Sequence, residues 1–264
     1  MTVNERLERS QWDTFWCPAD VTVVDRPELL YLTCPRNGPY LNFVPRTRAS
    51  AERLPALIAE VQAAHAHATS YWMVPDTFDT RALMKALAEA GYQPGDQHRA
   101  VALRVDEYRP RQTDSVRVRE VNTMERLRDS IAVAERAFDY QLEHSVAELQ
   151  DQLRRCTGEG PRTRRFVAYD AHGRAIAAGG MNLFPSLDMG FLWGGGTVPD
   201  ARGQGAYSAL VAARVACARA LGIGYLGLYA REETSAPIVA RQGFEAHGHM
   251  TVWRATAATP TPNA

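Results

Sequence analysis

At 264 residues, with 45% hydrophobic and 23% charged residues, the chain has the composition of an ordinary globular protein with room for one large domain or two smaller ones. Its 30 basic and 30 acidic residues give a formal net charge of zero, so nothing global draws it to nucleic acid. No apolar run reaches the ~20 residues of a membrane span, and the polar opening Met1-Thr2-Val3-Asn4-Glu5-Arg6 lacks a secretion signal, so no membrane contact and a cytoplasmic location are expected. Cys17, Cys34, Cys156 and Cys217 show no metal or redox spacing and read as buried thiols, with no metal site.

In chain order, the first half offers the segment Val44-Pro45-Arg46-Thr47-Arg48-Ala49-Ser50-Ala51, then a helix over 51–66 and an apolar strand over 71–74. A helix over 80–90 and a strand over 98–105 follow, and the polar, Pro-containing stretch 106–115 reads as a link. The second half reads as a strand over 116–121, helices over 124–138 and 146–153, and strands over 165–169 and 175–181 around the turn Asp170-Ala171-His172-Gly173. Next come a strand over 191–198, an Ala-rich helix over 208–221 without internal Gly or Pro, a strand over 224–230, a short helix and a closing strand over 244–253.

The two halves repeat one another. Val44 to Ala51 lies over Val198 to Gly205, and Gly91-Tyr92 over Gly243-Phe244, at nearly equal intervals. The expected domains are 1–112, 113–256 and a disordered tail, 257–264.

The most informative stretch is Val198-Pro199-Asp200-Ala201-Arg202-Gly203-Gln204-Gly205-Ala206-Tyr207, which ends a strand and opens a helix. Such a turn leaves several N–H groups unpaired and aimed one way with a helix dipole behind them, which suits a pyrophosphate. Gly203 and Gly205 let phosphate approach the main chain, and Arg202 adds a fixed positive fork. A Walker A loop is excluded because the one lysine, Lys85, is far away, and the third glycine of a dinucleotide fingerprint is replaced by Ser208.

The remaining pattern, Arg-x-x-Gly-x-(Gly/Ala), together with Ser235-Ala236-Pro237-Ile238-Val239-Ala240-Arg241-Gln242-Gly243-Phe244, resembles the GCN5-related N-acetyltransferase (GNAT) family over residues 115–255. Tyr207 stands where that family has a small residue. The resemblance implies an α/β (α+β) fold with a mixed, mostly antiparallel sheet and a splayed central strand pair, here in two GNAT-like halves. The first is degenerate, since Ala49 and Ala51 replace both loop glycines.

It also implies acetyl-CoA as donor and direct attack by a small-molecule amine. Thr197, Val198, Arg202, Gly203, Gln204, Gly205, Ala206, Tyr207, Ser208 and Ser235 are the expected cofactor-binding residues, with free amides at Thr197 and Val198 facing the thioester. The family's proton-donating Tyr falls on Val239, so Tyr229 is the candidate acid and His249 the candidate base, with His247, Asp188 and Glu232 as alternatives. Thr234 and Ser235 stand near the family's pantetheine-binding Asn.

Acceptor recognition is expected from Phe138, Tyr140, Gln141 and His144. The cluster Arg154, Arg155, Arg162, Arg164 and Arg165, opposed by Glu159, is either a solvated surface or a site for an acidic acceptor. Two other functions stay open: a GNAT-fold transferase using aminoacyl-tRNA, and a non-catalytic acyl-CoA-binding protein. The acceptor, the acyl chain and whether the chain forms a homodimer also stay open.

Overall fold

The computed structural model describes residues 1–36, 41–110, 115–141 and 143–256. The expected boundary at 112/113 and the tail 257–264 lie outside them. The described residues divide into two compact units, the first built from residues up to 101, 229–237 and 246–256, the second from residues between 102 and 228 with 238–245.

The first unit begins with helix α1 (Val3–Ser10), capped by Thr2 and Glu5, each bonding the other's backbone N–H. Strands β1 (Thr22–Arg26), β2 (Leu29–Thr33) and β3 (Phe43–Thr47) follow, then helix α2 (Leu54–Ala64), strand β4 (Ser70–Pro75) and helix α3 (Arg81–Glu89). Strand β5 (Gln93–Arg104) starts in this unit and ends in the other. β1, β2 and β3 pair antiparallel, and β3 pairs parallel with β4.

The free edge of β4 is covered by the chain's last strand, β11 (Glu245–Ala255), antiparallel from Met250–Pro75 to Ala255–Ser70. Leu29, Val44, Leu57, Ile58, Val61, Trp72, Leu87 and Tyr92 form the core. Inside it, the Trp72 indole donates to Thr47 Oγ1 at 2.9 Å, and His65 Nδ1, Ser70 Oγ and Tyr92 Oη form a chain with links of 2.7 and 2.8 Å. Each of these polar groups thereby has a partner, as a dry interior favours.

The second unit holds β6 (Arg117–Glu120), α4 (Met124–Phe138), α5 (Val146–Thr157), β7 (Thr163–Tyr169), β8 (Ala175–Phe184) and β9 (Met189–Thr197). Helix α6 (Ala206–Ala220) and the start of β10 (Tyr225–Arg231) complete it, with the last residues of helix α7 (Ser235–Ala240). β6 to β9 form an antiparallel meander, whereas β9 and β10 run parallel. That ladder runs from Met189–Tyr225 to Phe191–Gly227, so β9 beyond Phe191 has lost its partner on that side. This is the splayed pair expected from the sequence.

The repeat is structural as well. Each copy places a helix between parallel strands, β3-α2-β4 and β9-α6-β10, and each closes its next helix in the same way. Gly91 (φ 86°) lets Tyr92 N–H reach Leu87 O at 2.9 Å, and Gly243 (φ 92°) lets Phe244 N–H reach Val239 O at 3.2 Å.

Candidate functional site

Strand β9 carries a bulge. Ala178 pairs with Gly196 and Gly180 with Trp193, so one residue of β9 is extra, and Gly194 takes φ 58° to accommodate it. The two faces of this strand are filled by different helices. A Cβ on Gly195 would lie 3.1 Å from Cε2 of Tyr207 on α6, and one on Gly196 would lie 3.0 Å from Cζ of Phe138 on α4. The ring of Tyr207 thus packs against the main chain of β9, in room left by Gly195, and a large residue is tolerated where small ones were expected.

After β9 the chain makes a short 3-10 turn, Pro199–Ala201, and enters α6 through two left-handed glycines, Gly203 (φ 79°) and Gly205 (φ 82°). Gly205 is the N-cap and has no side chain to bond the helix, so the amides of Ala206, Tyr207 and Ser208 lack intrahelical acceptors; the α6 ladder starts only with Ala209 N–H to Gly205 O at 3.0 Å. Gly203, Gln204 and Arg202 are exposed, and nothing lies within 4 Å of a Cβ placed on Gly203. Gln204 Nε2 donates to Asp200 O at 3.1 Å and ties the loop back on itself.

Three arginines surround this opening. Arg136 and Arg174 pair with Asp200 at 3.2 and 2.5 Å, and hydrogen bonding to Arg174 holds the Asp200 carboxyl below its ordinary value. Among the described residues Arg202 makes only long contacts to main-chain carbonyls, 3.4 Å to Thr197 O and 3.5 Å to Ala137 O. Free amides at a helix N-terminus, a backbone bare of side chains and an uncommitted guanidinium fit a pyrophosphate.

One expectation is corrected. Val198 N–H donates to Ile176 O at 2.9 Å and is spent on β8, so it is not a free amide. Because successive amides in a strand point to opposite edges, Thr197 N–H faces the side that β10 has left.

Residues 197–208 of the expected set lie together in the second unit, whereas Tyr229, Ser235 and His249 belong to the first. Tyr229 packs at the margin of the Leu32, Phe43, Met73, Met250 and Val252 cluster, its hydroxyl buried, and burial with the Glu8 and Asp76 carboxylates pushes the phenol well above its ordinary value. His249 is exposed and its N–H donates to Asp76 Oδ2 at 2.8 Å. Glu232 is held below its ordinary value by a hydrogen bond from Arg99, at 2.8 Å. Ser235 Oγ lies 3.5 Å from Arg231 O, and Asp188 accepts from Gly224 N–H at 2.5 Å, which caps the start of β10. Val239 is buried.

Superposition on solved structures agrees with this architecture. A GCN5-related N-acetyltransferase from Kribbella flavida matches with TM-score 0.70 at 15% identity, covering 96% of this chain and 95% of its own. The chain has the GNAT fold. A GCN5-related N-acetyltransferase from Sphaerobacter thermophilus matches with TM-score 0.64 at 15% identity over 89% of this chain and 83% of its own. The tandem GNAT protein of the clavulanic acid biosynthesis pathway matches with TM-score 0.60 at 15% identity over 97% and 89%. No protein-family model and no curated protein matches the sequence. Among the described residues no group of His, Cys, Asp and Glu could hold a metal, and no helix is long and apolar enough to cross a membrane.

Reading the sequence by spacing missed one arginine of this GNAT unit. Arg214, on the α6 face that meets the sheet, is 1% exposed, and burial lowers its guanidinium from the ordinary value. Its Nε donates to Leu210 O at 3.1 Å, its Cζ lies over the Tyr207 ring at 5.8 Å, and its Nη2 is buried without a partner among the described residues. The bare Cα positions of Gly179 and Gly195 make room for it.

Proposed function

We propose that the chain is an N-acyltransferase that moves an acetyl or short acyl group from acetyl-CoA to the amine of a small molecule. The observation carrying this reading is the turn of Gly203 and Gly205, both left-handed, at an α6 N-terminus that has no side-chain cap, beside the exposed Arg202. The thioester supplies an activated acyl group, which needs no protein nucleophile. The chain would hold the pyrophosphate with amides of residues 203–208, orient the pantetheine arm along the splayed edge of β9, and present Thr197 N–H to the acyl oxygen.

Tyr229 is assigned the proton for the departing thiolate and His249 the proton of the attacking amine. Their support is chemical: the phenol is held protonated by its surroundings, and the imidazole is open to solvent. The first unit is read as a non-binding copy, because Ala49 and Ala51 lack the positive φ of Gly203 and Gly205 and Arg48, aligned with Arg202, is paired with Glu8 at 2.5 Å.

Calorimetric titration with coenzyme A, beside thiol release from acetyl-CoA over an amine panel, tests the reading. Valine at 205 would be forced into a left-handed conformation costing about 1 to 3 kcal/mol, and its branches would cover the main chain, so Gly205→Val should lose coenzyme A binding with its melting transition still cooperative. Unchanged affinity in that variant would refute the site.

A second reading, a non-catalytic acyl-CoA-binding protein, is favoured by the buried Val239 at the position of the family's acid. Coenzyme A binding without thiol release across the panel would select it.

A further inference from the structure

The arginine cluster read from the sequence as one surface resolves into unequal members. Arg154 and Arg155 both pair with Asp151, at 3.1 and 2.5 Å, and Arg164 pairs with Glu120 at 2.8 Å, so Asp151 and Glu120 oppose the cluster. Arg162 lies over the Phe184 ring at 5.5 Å and donates to Leu183 O at 3.1 Å. Arg165 differs, having no carboxylate partner among the described residues.

Its surroundings are built. Arg165 on β7, Gly180 on β8 and Trp193 on β9 are in register across three strands and share a face. Gly180 has no side chain, and a Cβ there would fall 2.2 Å from Trp193 Cζ2, so the indole lies flat over it and meets Arg165, whose Cζ is 4.8 Å from the ring centre. Asn182 Oδ1 accepts from Trp193 Nε1 at 3.1 Å and from Thr163 Oγ1 at 3.2 Å, which fixes the indole. Arg165 Nε is buried without an acceptor.

The groups that act electrostatically on this guanidinium are the Cys156 thiol, the Tyr140 phenol and Arg155, and desolvation lowers it from its ordinary value. None of these three groups is a carboxylate. Beside it, the rings of Phe138 and Tyr140 stack 6.5 Å apart at 7° and are 48% and 42% exposed. Phe138 in turn packs on Gly196, the residue that follows the bulge. A planar cation on an aromatic floor, beside two exposed stacked rings and the bulged strand, is a receptor for a planar anion with an apolar body.

The geometry points to Arg165, laid on Trp193, as the anion-binding residue of the acceptor pocket, so that the amine acylated by this protein carries a carboxylate next to an aromatic or apolar group. This names the substrate class of the transferase reading and rests on it. Its test does not need turnover.

Binding of 3-phenylpropanoate and of 3-phenylpropanamide, which lack an amine and cannot be acylated, is measured by calorimetry on the full chain and on Arg165→Met. The carboxylate should bind the unaltered protein about 10-fold more tightly than the amide, and Arg165→Met should reduce that ratio to about two-fold or less. Equal affinities in the unaltered protein, or a preference that survives Arg165→Met, would overturn the assignment. Where Arg165→Met does not melt cooperatively, Arg165→Lys decides: keeping the charge but losing the fork and the stack, it should bind the carboxylate at least about 3-fold more weakly, and an unchanged affinity overturns the assignment. Absence of thiol release with every amine would sink the transferase reading and leave this binding result standing.

Discussion

Arg48 and Glu8 form an ion pair at 2.5 Å in the first unit, with the Glu8 side chain 3% exposed and Thr77 Oγ1 donating to its other oxygen. The arginine that aligns with Arg202 of the glycine loop therefore has an anion supplied by the chain itself. Breaking a buried pair leaves a charge without compensation, and because Arg48 is 31% exposed the cost falls below the range for full burial. Glu8→Ala is expected to destabilise the protein by about 2 to 3 kcal/mol, read as a lower urea midpoint with an unchanged slope.

His65 makes stability depend on pH. It bonds Ser70 Oγ at 2.7 Å and Leu32 O at 2.8 Å, and burial lowers its pKa from 6.5 to about 4. The unfolded chain takes up the proton first as pH falls, so the contribution is complete above pH 6.5 and is lost between there and pH 4. The full loss amounts to about 3 kcal/mol. Urea melts between pH 7.5 and 4.5 should show this fall, and His65→Asn should flatten it; an equal slope in both proteins would contradict the assignment.

Arg214 is a buried cation without a carboxylate partner among the described residues, so a methionine should leave stability unchanged or raise it by about 1 to 2 kcal/mol. The same change removes the guanidinium that lies over the Tyr207 ring, in the first turn of α6. Coenzyme A affinity should fall several-fold in Arg214→Met while the melting temperature holds. A large loss of stability would show that the guanidinium is compensated.

Gly180→Ala tests the aromatic floor. The added methyl would meet the Trp193 ring at 2.2 Å, so the indole must leave Asn182, at an overpacking cost of about 1 to 3 kcal/mol. Trp193 emission should shift to the red, with Trp193→Phe as the subtraction control, and the preference for 3-phenylpropanoate should disappear with it.

Much of this was legible in one dimension. Gly203, Gly205 and Arg202 were readable because a turn's chemistry is local, and Gly91 and Gly243 because a helix stop is written in adjacent residues. Helix α1 and strands β1 and β2 were not read: β1 is short and mostly exposed, and β2 is a continuous apolar run that could serve in several elements. The row of Arg165, Gly180 and Trp193 depends on the register of three strands, which no spacing along the chain encodes. Nothing along the Ala-rich helix marks Arg214 as buried, since the glycines that admit it lie on other strands. The spent amide of Val198 likewise follows from its pairing with Ile176.

The pairing of β11 with β4 imposes an order on synthesis. While the ribosome is still making residues 105 to 245, one edge of β4 shows a bare row of amide and carbonyl groups, and its rightful neighbour has yet to be translated. The nascent protein must shield that edge until β11 emerges, and a polypeptide released before then would carry it permanently, ready to pair with other chains.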